Sequence, residues 1–395
     1  MDKKTFIKGV VVGIGSVALL FTGVIGFKTI NACFGNNSFL PSEKVNAISM
    51  VLDKYYVEDI DTEKMEEGMY KGFVSALGDP YTIYLSKAEL ESFYEDNEGS
   101  FIGIGVEVTV DKEDMKITVV TPIPGSPAET AGILSGDKII KVNGVSVSGN
   151  ELSDAISTIR GEVNTDVTVT IYRESTRNTF DVTLTRSNIS ESTVKYEMKD
   201  GNIGYIKISQ FKKNTYDQFI EAYNDLNNMG QKGLIIDLRN NPGGLFDVVG
   251  NITDELVPEG TYVYTIDKQG TRVDKESDAE CINIPLCLLV NENSASASEI
   301  LSGAVQDMGV GKLVGTKTFG KGLVQGIYPL GDGSGIKITI QKYYTPRGVC
   351  IQGEGITPDY IVELPDTISN PLLISPEEDI QLQKAVEVIS LSIKK

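Results

Sequence analysis

An uncharged apolar stretch of 19 residues, Gly9–Phe27, lies at the start of the chain. About 20 apolar residues in a helix span the hydrocarbon core of a bilayer, and Lys3, Lys4 and Lys8 precede this stretch. Because positive residues favour the cytoplasmic side, the pattern predicts a cytoplasmic tail and membrane anchor over residues 1–36. The rest of the chain would then lie outside the cytoplasm. A cleaved signal peptide is the alternative.

Residues 37–97 are polar, with apolar positions at helical spacing. One helix is indicated by Val45, Ile48, Val51 and Leu52, and a second by Met65, Met69, Phe73 and Leu77. Gly78-Asp-Pro80 ends the second helix. The pattern predicts an N-terminal helical region that acts as a spacer or as a dimer contact.

Between residues 98 and 187, apolar and polar positions alternate, which is typical of half-buried strands. The alternating positions are Val106, Val108 and Val110, then Ile117 and Val119, and later Val167, Val169 and Ile171. Asn143-Gly144 favours a two-residue hairpin turn, and Asn150–Arg160 has the spacing of a helix. This segment therefore predicts a separate domain built mainly from short strands.

From residue 188 to residue 372, predicted strands and helices alternate. The strands are Gly204–Ser209, Gly233–Leu238, Thr261–Asp267, Ile284–Val290, Leu313–Gly315, Val324–Tyr328 and Ile336–Lys342. The helices are Tyr216–Met229, Leu245–Leu256 and the segment after Ser296. The expected fold class is α/β, with helices covering a sheet. A last amphipathic helix, Pro376–Ile393, falls in residues 373–395 and either covers the core or makes a dimer contact.

The composition narrows the chemistry. The 395 residues carry a net charge of −19, which argues against nucleic acid as a partner. The four cysteines show no metal-ligand spacing, and nothing in the sequence indicates a metal or a cofactor. There is no histidine, so a Ser-His-Asp triad is excluded within this chain. A serine nucleophile would need another base, and lysine is the obvious candidate.

Ser296 lies where the predicted buried strand Ile284–Val290 gives way to a helix. Backbone N–H groups at a helix N-terminus, such as that of Ala297, are unpaired and favour negative charge, which suits a nucleophile whose product is an oxyanion. The alternative is a capping box, in which Ser296 caps the helix together with Glu299 three residues on.

Two glycine-flanked loops supply further candidates. Gly243 and Gly244 follow a predicted strand, and they allow backbone N–H groups to converge as an oxyanion site needs. An ordinary Asn-Pro-Gly turn is the alternative. Lys321 lies between two glycines, 25 residues after Ser296, with no carboxylate next to it in sequence. A lysine base must have its pKa lowered by burial or by nearby positive charge. The alternative is a surface lysine.

Phe101, Ile102, Gly103, Ile104 and Gly105 begin a series of motifs in the 98–187 segment. The others are Gly125-Ser-Pro-Ala128, Ala131-Gly132 and Gly136-Asp-Lys-Ile-Ile140. Together with the downstream helix, they resemble a PDZ domain. Such a domain binds a peptide as an added strand and holds its terminal carboxylate through consecutive backbone N–H groups. The resemblance implies that Phe101–Gly105 bind peptide tails.

The chain as a whole resembles the C-terminal processing peptidases, also called tail-specific proteases. The remaining segments that carry the resemblance are Gly78-Asp-Pro-Tyr81, Asn240-Asn-Pro-Gly-Gly244, Ser294-Ala-Ser-Ala-Ser-Glu299 and Phe319-Gly-Lys-Gly-Leu-Val-Gln325. The resemblance implies that Ser296 is the nucleophile, Lys321 the general base and Gln325 the residue that orients the lysine. It also implies that the N–H groups of Gly243, Gly244 and Ala297 are the oxyanion donors. Arg160 would couple the PDZ domain to the site. On a strand, Lys321 and Gln325 would share a face.

We therefore predict a membrane-anchored, extracytoplasmic serine endopeptidase of bacterial type with a Ser-Lys dyad. Its expected domains are the anchor 1–36, the helical region 37–97, the PDZ domain 98–187, the peptidase core 188–372 and the terminal helix 373–395. Polypeptides with accessible C-termini are the expected substrates, and the helical ends suggest a homodimer. The alternative is a PDZ scaffold without catalysis. A hydrolase of the penicillin-binding type is disfavoured, because no S-x-x-K with a K-T-G partner occurs.

Overall fold

A computed structural model of the chain describes residues 42–365, 374–375 and 378–394. The predicted anchor, 1–36, lies outside these residues, as do the first residues of the predicted terminal helix. Within the described ranges, no helix combines the length and the apolar character needed to cross a bilayer. The chain divides into two compact units. Among the described residues, unit 1 contains 42–93, Thr265–Val273 and Leu323–Tyr343, and unit 2 contains the others.

The described elements follow the predicted order of helices and strands. The helices are α1 (Ser42–Tyr55), α2 (Thr62–Ser75), α3 (Lys87–Glu98), α4 (Pro127–Thr130), α5 (Leu152–Ile159), α6 (Thr215–Asn228), α7 (Phe246–Leu256), α8 (Ala297–Asp307) and α9 (Ile380–Ile393). The first strands are β1 (Ile83–Leu85), β2 (Ser100–Gly103), β3 (Val106–Val110), β4 (Ile117–Pro122), β5 (Lys138–Val142), β6 (Val145–Ser146), β7 (Asp166–Arg173), β8 (Asn178–Thr185) and β9 (Ser187–Ser190). The later strands are β10 (Val194–Lys199), β11 (Ile203–Ile208), β12 (Gly233–Asp237), β13 (Gly260–Asp267), β14 (Arg272–Ser277), β15 (Leu286–Val290), β16 (Gly311–Gly315), β17 (Leu323–Pro329), β18 (Gly335–Tyr344) and β19 (Tyr360–Ile361).

The core of unit 2 is a six-stranded sheet in the order β10-β11-β12-β15-β16-β19. The strands from β11 onward run parallel, and β10 is antiparallel to β11. Every residue of β12 and β15 is buried, as expected for parallel strands whose two faces are both covered by helices. One face is covered by α9, whose residues Leu382, Ala385, Val388 and Ile389 pack on the sheet. The terminal helix therefore covers the core.

The segment predicted to be a PDZ domain forms its own sheet in unit 2, in the order β3-β4-β5-β7-β8 with β6 beside β5. Asn143 and Gly144 have φ of 49° and 80°, which is the geometry expected of the predicted hairpin turn. The predicted helix is shorter than expected, because Gly149–Glu151 form a 3-10 turn before α5 begins. Strand β2 lies apart from this sheet and pairs with β9.

Unit 1 contains the predicted pair of helices, α1 and α2, and the strands β1 and β17, both of which pair antiparallel with β18. The tip of the β13–β14 hairpin, Thr265–Val273, also belongs to this unit. Outside the PDZ segment, the sequence pattern missed β1, β10, β14 and β19, which are too short or too exposed to show a clear alternation. Within that segment it named only β3, β4 and β7 individually. Residues 89–98, which are rich in Asp and Glu, form most of α3.

Candidate active site

Ser296 lies at the junction between β15 and α8, as the sequence predicted. Its φ of 55° and ψ of −111° are unusual for a residue with a side chain. Such a backbone costs about 1–3 kcal/mol and persists only where the surroundings hold it in place, typically at functional sites. The neighbouring Ala297 is buried at the first position of α8, where N–H groups are directed away from the helix.

Ser294 and Ser298, which flank Ser296, hold the junction against the segment that follows β12. The hydroxyl of Ser294 donates to the Leu238 carbonyl at 2.8 Å and accepts from the Asn291 N–H at 2.9 Å. The hydroxyl of Ser298 donates to the Asn241 carbonyl at 2.9 Å. Ser294 therefore ties the loop to the end of β12. The hydroxyls of Ser294 and Ser298 thus hold the loop, and Ser296 lies between them at the junction.

Glu299 connects the serine junction to the lysine loop. Its side chain is fully buried, and one carboxylate oxygen accepts from the N–H of Ser296 at 2.9 Å and from the N–H of Lys321 at 2.8 Å. The other oxygen accepts from the Thr318 hydroxyl at 2.6 Å and from the Gly320 N–H at 2.7 Å. Burial raises the pKa of Glu299 above its usual range, although these four donors oppose the shift. Sequence reasoning gave this residue only a role at the helix start.

Lys321 is half-buried in the loop between β16 and β17. The loop is fixed on both sides of the lysine, because the Phe319 N–H donates to the Ser294 carbonyl at 3.1 Å and the Gly322 N–H donates to Gln352 at 2.9 Å. Together with Glu299, these bonds fix the backbone of Lys321 relative to that of Ser296. The two residues predicted as base and nucleophile are therefore held by one carboxylate.

Gly243 packs directly against the serine junction. A Cβ atom at this position would lie 2.8 Å from the Ala295 carbonyl oxygen, 2.9 Å from the Ser296 Cβ and 3.0 Å from the Ala297 nitrogen. With φ of 107°, the position also disfavours any side chain. The Gly243 N–H, predicted as an oxyanion donor, already donates to the Asn241 Oδ1 at 2.9 Å. The Gly243 N–H therefore already has an acceptor in this structure, which the sequence did not indicate, and its role as an oxyanion donor stays a prediction.

Gly244 is the second glycine of the turn, and its backbone lies against Phe211, three residues after the end of β11. A Cβ there would fall 2.1 Å from the Phe211 carbonyl oxygen, so only glycine fits. The bridge between Phe211 and Gly244 uses the Gly243 carbonyl and the Leu245 N–H, so the Gly244 N–H takes no part in it.

Gln325 belongs to unit 1, on β17. The expectation that Lys321 and Gln325 share a strand face is wrong, since Lys321 precedes the strand and the register shifts between Val324 and Gln325. The Gln325 Nε2 is buried without a hydrogen-bond partner among the described residues. Its role in orienting the lysine stays a prediction.

The predicted carboxylate-binding loop of the PDZ domain follows β2. The Ile104 carbonyl accepts from the Ala128 N–H, and the Gly105 carbonyl accepts from both the Ile123 N–H and the Ser126 hydroxyl. Since a trans peptide places N–H and C=O on opposite sides, the N–H of Gly105 is directed away from the α4 segment. The side chain of Ile104 belongs to the domain core and does not reach a peptide.

The other predicted peptide-binding residues lie near the loop. The Arg160 guanidinium is 5.4 Å from the centre of the Phe101 ring and forms an ion pair with Glu95 at 2.9 Å. Ile102 is partly exposed, whereas Gly103 is buried against the Phe101 ring.

The fold and the site define a class of protein. A serine at a strained strand–helix junction, a lysine loop held to it by a buried carboxylate and an attached PDZ-like domain are features expected of a serine peptidase. The family model described as peptidase family S41 matches residues 202–362, and a PDZ domain model matches 100–184. A model described as the activating protease CtpB N-terminal domain matches 31–89.

Similar proteins give the family. The carboxy-terminal processing protease CtpA of Bacillus subtilis is 37% identical over 91% of this chain and 76% of its own length. The carboxyl-terminal-processing protease of Synechocystis is 36% identical over 86% of this chain and 81% of its own length. The solved structure of a photosystem II D1 C-terminal processing protease is 34% identical in sequence, and the match covers 81% of this chain and 88% of that protein's chain, with a TM-score of 0.48. The chain belongs to the carboxy-terminal processing serine proteases of peptidase family S41.

Proposed function

We propose that the protein cleaves polypeptides with a Ser296–Lys321 dyad. The observation that carries this proposal is the shared carboxylate oxygen of Glu299, which accepts from the backbone N–H of both residues. Lys321 in its neutral form takes the proton of the Ser296 hydroxyl while the oxygen attacks the scissile carbonyl. The same proton then passes to the leaving amine, and water releases the acyl group.

The oxyanion that forms during attack needs backbone donors close to Ser296. The N–H of Ala297 is at the start of α8, and the turn at Gly243 and Gly244 packs against the same junction. We assign oxyanion stabilisation to these groups. No step requires a metal or a cofactor.

The PDZ domain supplies the substrate preference in this proposal. The backbone of Gly105 has its carbonyl tied inward and its N–H directed outward, as a loop that holds a carboxylate requires. The names of the relatives refer to C-terminal processing. Polypeptides with accessible C-terminal tails are therefore the proposed substrates.

The proposed location is the bacterial cell membrane, with a single uncleaved anchor in residues 1–36 and the catalytic part outside the cytoplasm. The support is the uncharged stretch Gly9–Phe27 behind three lysines. We also propose a homodimer that contacts through α1 and α2. Helix α1 exposes Met50 and Tyr55, and the segment between the two helices exposes Val57, with 74%, 69% and 92% of each residue accessible to solvent. An apolar surface of this kind is typical of an interface.

The test of the dyad uses the full-length protein in detergent and an unfolded reporter with an apolar C-terminal tail. Ser296→Ala and Lys321→Ala should each abolish cleavage, and a serine-directed sulfonyl fluoride should label Ser296 only in the wild type. A reporter with an amidated tail serves as the control for tail capture. Full cleavage by either variant would contradict the dyad, and tail binding without labelling or cleavage by the wild type would favour the non-catalytic scaffold.

A further inference from the structure

Asn241 is a fully buried residue that joins the glycine turn to the serine junction. Its carbonyl oxygen accepts from the Ala295 N–H at 3.0 Å and from the Ser298 hydroxyl at 2.9 Å. Its Nδ2 donates to the Ile208 carbonyl at 2.9 Å. The backbone on either side of Ser296 is therefore tied to this one asparagine and, through it, to the end of β11.

The remaining polar atom of the side chain, Oδ1, accepts the N–H of Gly243 at 2.9 Å. Pro242 lies between the two residues, and its ring restricts φ and so favours this compact turn. Gly243 in turn lies against the Cβ of Ser296. The N–H of a glycine that packs against the nucleophile is thus paired with a neutral amide oxygen in the state without substrate.

We propose that Asn241 is a positioning residue that holds the Gly243 N–H in the ground state and yields it to the oxyanion in the transition state. The inference rests on the proposed role of Ser296. A neutral substrate carbonyl is no better an acceptor than Asn241 Oδ1, whereas an oxyanion forms a stronger, charge-assisted hydrogen bond. Interactions that strengthen only in the transition state raise kcat, so this exchange favours the reaction and not the binding of substrate.

The other contacts of Asn241 make the exchange local. The bonds to Ile208, Ala295 and Ser298 do not involve Oδ1, so the turn stays in place when the Gly243 N–H changes partner. A variant that changes the acceptor strength at this oxygen while keeping the shape of the side chain is therefore informative.

Asn241→Asp is such a variant, since the two side chains have nearly the same shape. An ionised carboxylate would retain the Gly243 N–H and repel the oxyanion. It would also lose the bond to the Ile208 carbonyl, which affects stability. Burial raises the pKa of a carboxyl group, and a protonated aspartic acid would again offer a neutral oxygen. Activity relative to wild type should therefore recover as the pH falls.

The matched control is Ser298→Ala, which removes a hydrogen bond to the same asparagine but leaves its side chain unchanged. The full-length protein is compared in each form by thermal unfolding, kcat and KM on a peptide, and affinity for a peptide aldehyde and the matching peptide amide. The aldehyde forms a tetrahedral adduct with an oxyanion, and the amide does not.

For Asn241→Asp, at pH values at which the new carboxyl group is ionised, we expect kcat to fall about 100-fold or more, as for loss of an oxyanion donor, with KM changed less than about threefold. Affinity for the aldehyde should fall with kcat, and affinity for the amide should not. Ser298→Ala should lose less than about tenfold in kcat, with no such split. Equal losses in the two variants, or equal losses of aldehyde and amide affinity, would indicate a purely structural role and overturn the proposal.

Failure of the dyad gives a different result. If Ser296→Ala keeps full cleavage, the proposed function and this inference both fail. If Ser296→Ala is inactive while Asn241→Asp retains kcat and aldehyde affinity within about threefold of wild type, only the inference is wrong.

Discussion

Two loops of unit 2 are candidates for presenting backbone N–H groups to a negatively charged oxygen. One is the glycine turn at Gly243 and Gly244, and the other is the PDZ loop at Gly103 and Gly105. Gly243, Gly244 and Gly105 have positive φ, and Gly105, like Gly243, lies where a side chain would collide, in its case with Ser126. The backbone solution is similar, although one loop serves a reacting atom and the other a bound carboxylate.

The loops differ in what holds them. The glycine turn and the serine junction beside it are fixed by fully buried side chains, among them Asn241, Ser294, Ser298 and Glu299. Of the polar contacts around the PDZ loop, the Arg160–Glu95 pair is largely exposed, with 40% and 58% of the two side chains accessible. Catalysis requires preorganised donors, whereas a binding loop can adjust to its peptide. Buried polar support is thus more extensive at the reactive site than at the binding loop, where the buried Ser126 hydroxyl donates to the Gly105 carbonyl.

The largest expected effect follows from the closest contact in the glycine turn. In Gly243→Ala the new Cβ would lie 2.9 Å from the Ser296 Cβ, at a φ of 107° that alanine disfavours. We expect the junction to shift and kcat to fall by about 100-fold or more, as for loss of an oxyanion donor. Peptide cleavage measures the effect, with thermal unfolding to show that the core remains folded. Wild-type kcat would mean that the turn does not support the site.

The next effect concerns Glu299. The carboxylate of Glu299 accepts hydrogen bonds from four donors, two at each oxygen. In Glu299→Gln an amide nitrogen replaces one oxygen and faces two of these donors, so at least one donor loses its acceptor. An unpaired donor in this buried site costs about 1–3 kcal/mol. We expect kcat to fall by about 10- to 100-fold, because Ser296 and Lys321 lose their common anchor. Kinetics and urea unfolding measure the two effects. A loss of stability without a loss of kcat would place Glu299 outside the positioning of the dyad.

A pH series tests the same carboxyl group. The pKa of Glu299 is raised in the folded protein, which means that the folded state binds the proton more tightly than the unfolded state does. This proton binding contributes fully to the free energy of unfolding at pH values below the ordinary pKa of glutamic acid. That stabilisation is lost as the pH rises through the raised value. The stability advantage of the wild type over Glu299→Gln should accordingly narrow with rising pH across this window.

The sequence predicted the alternating core and the position of Ser296, because continuous apolar strands and a strand-to-helix break are local features. It did not predict the use of Asn241 or Glu299, whose importance depends on contacts that are distant in sequence, those of Asn241 with Ala295 and Ser298 and that of Glu299 with Lys321. The expected pairing of Lys321 and Gln325 on one strand failed because a loop and a bulge cannot be inferred from spacing alone.

The PDZ loop should respond more weakly than the glycine turn. In Gly105→Ala the Cβ would lie 2.2 Å from the Ser126 Cβ, at a φ of 77°. We expect the affinity for a peptide with a free C-terminus to fall about tenfold, because the loop must move. Ser126→Ala is the control, since it removes one hydrogen bond to the loop without a collision. Fluorescence anisotropy with free and amidated peptides measures both. Cleavage of a short peptide that bypasses the PDZ domain should stay unchanged.

The smallest expected effect belongs to Arg160. Its ion pair with Glu95 is exposed, and such pairs contribute about 0–1 kcal/mol. Its contact with the Phe101 ring adds a similar small amount. If the region around the PDZ loop is adjustable, Arg160→Ala should change tail affinity and kcat by less than about fivefold. A loss of kcat as large as that of Gly243→Ala, with tail affinity unchanged, would break the comparison. It would mean that an exposed arginine of the PDZ domain acts on the reactive site, as the family resemblance implies for this position. Burial alone would then not identify the residues on which catalysis depends.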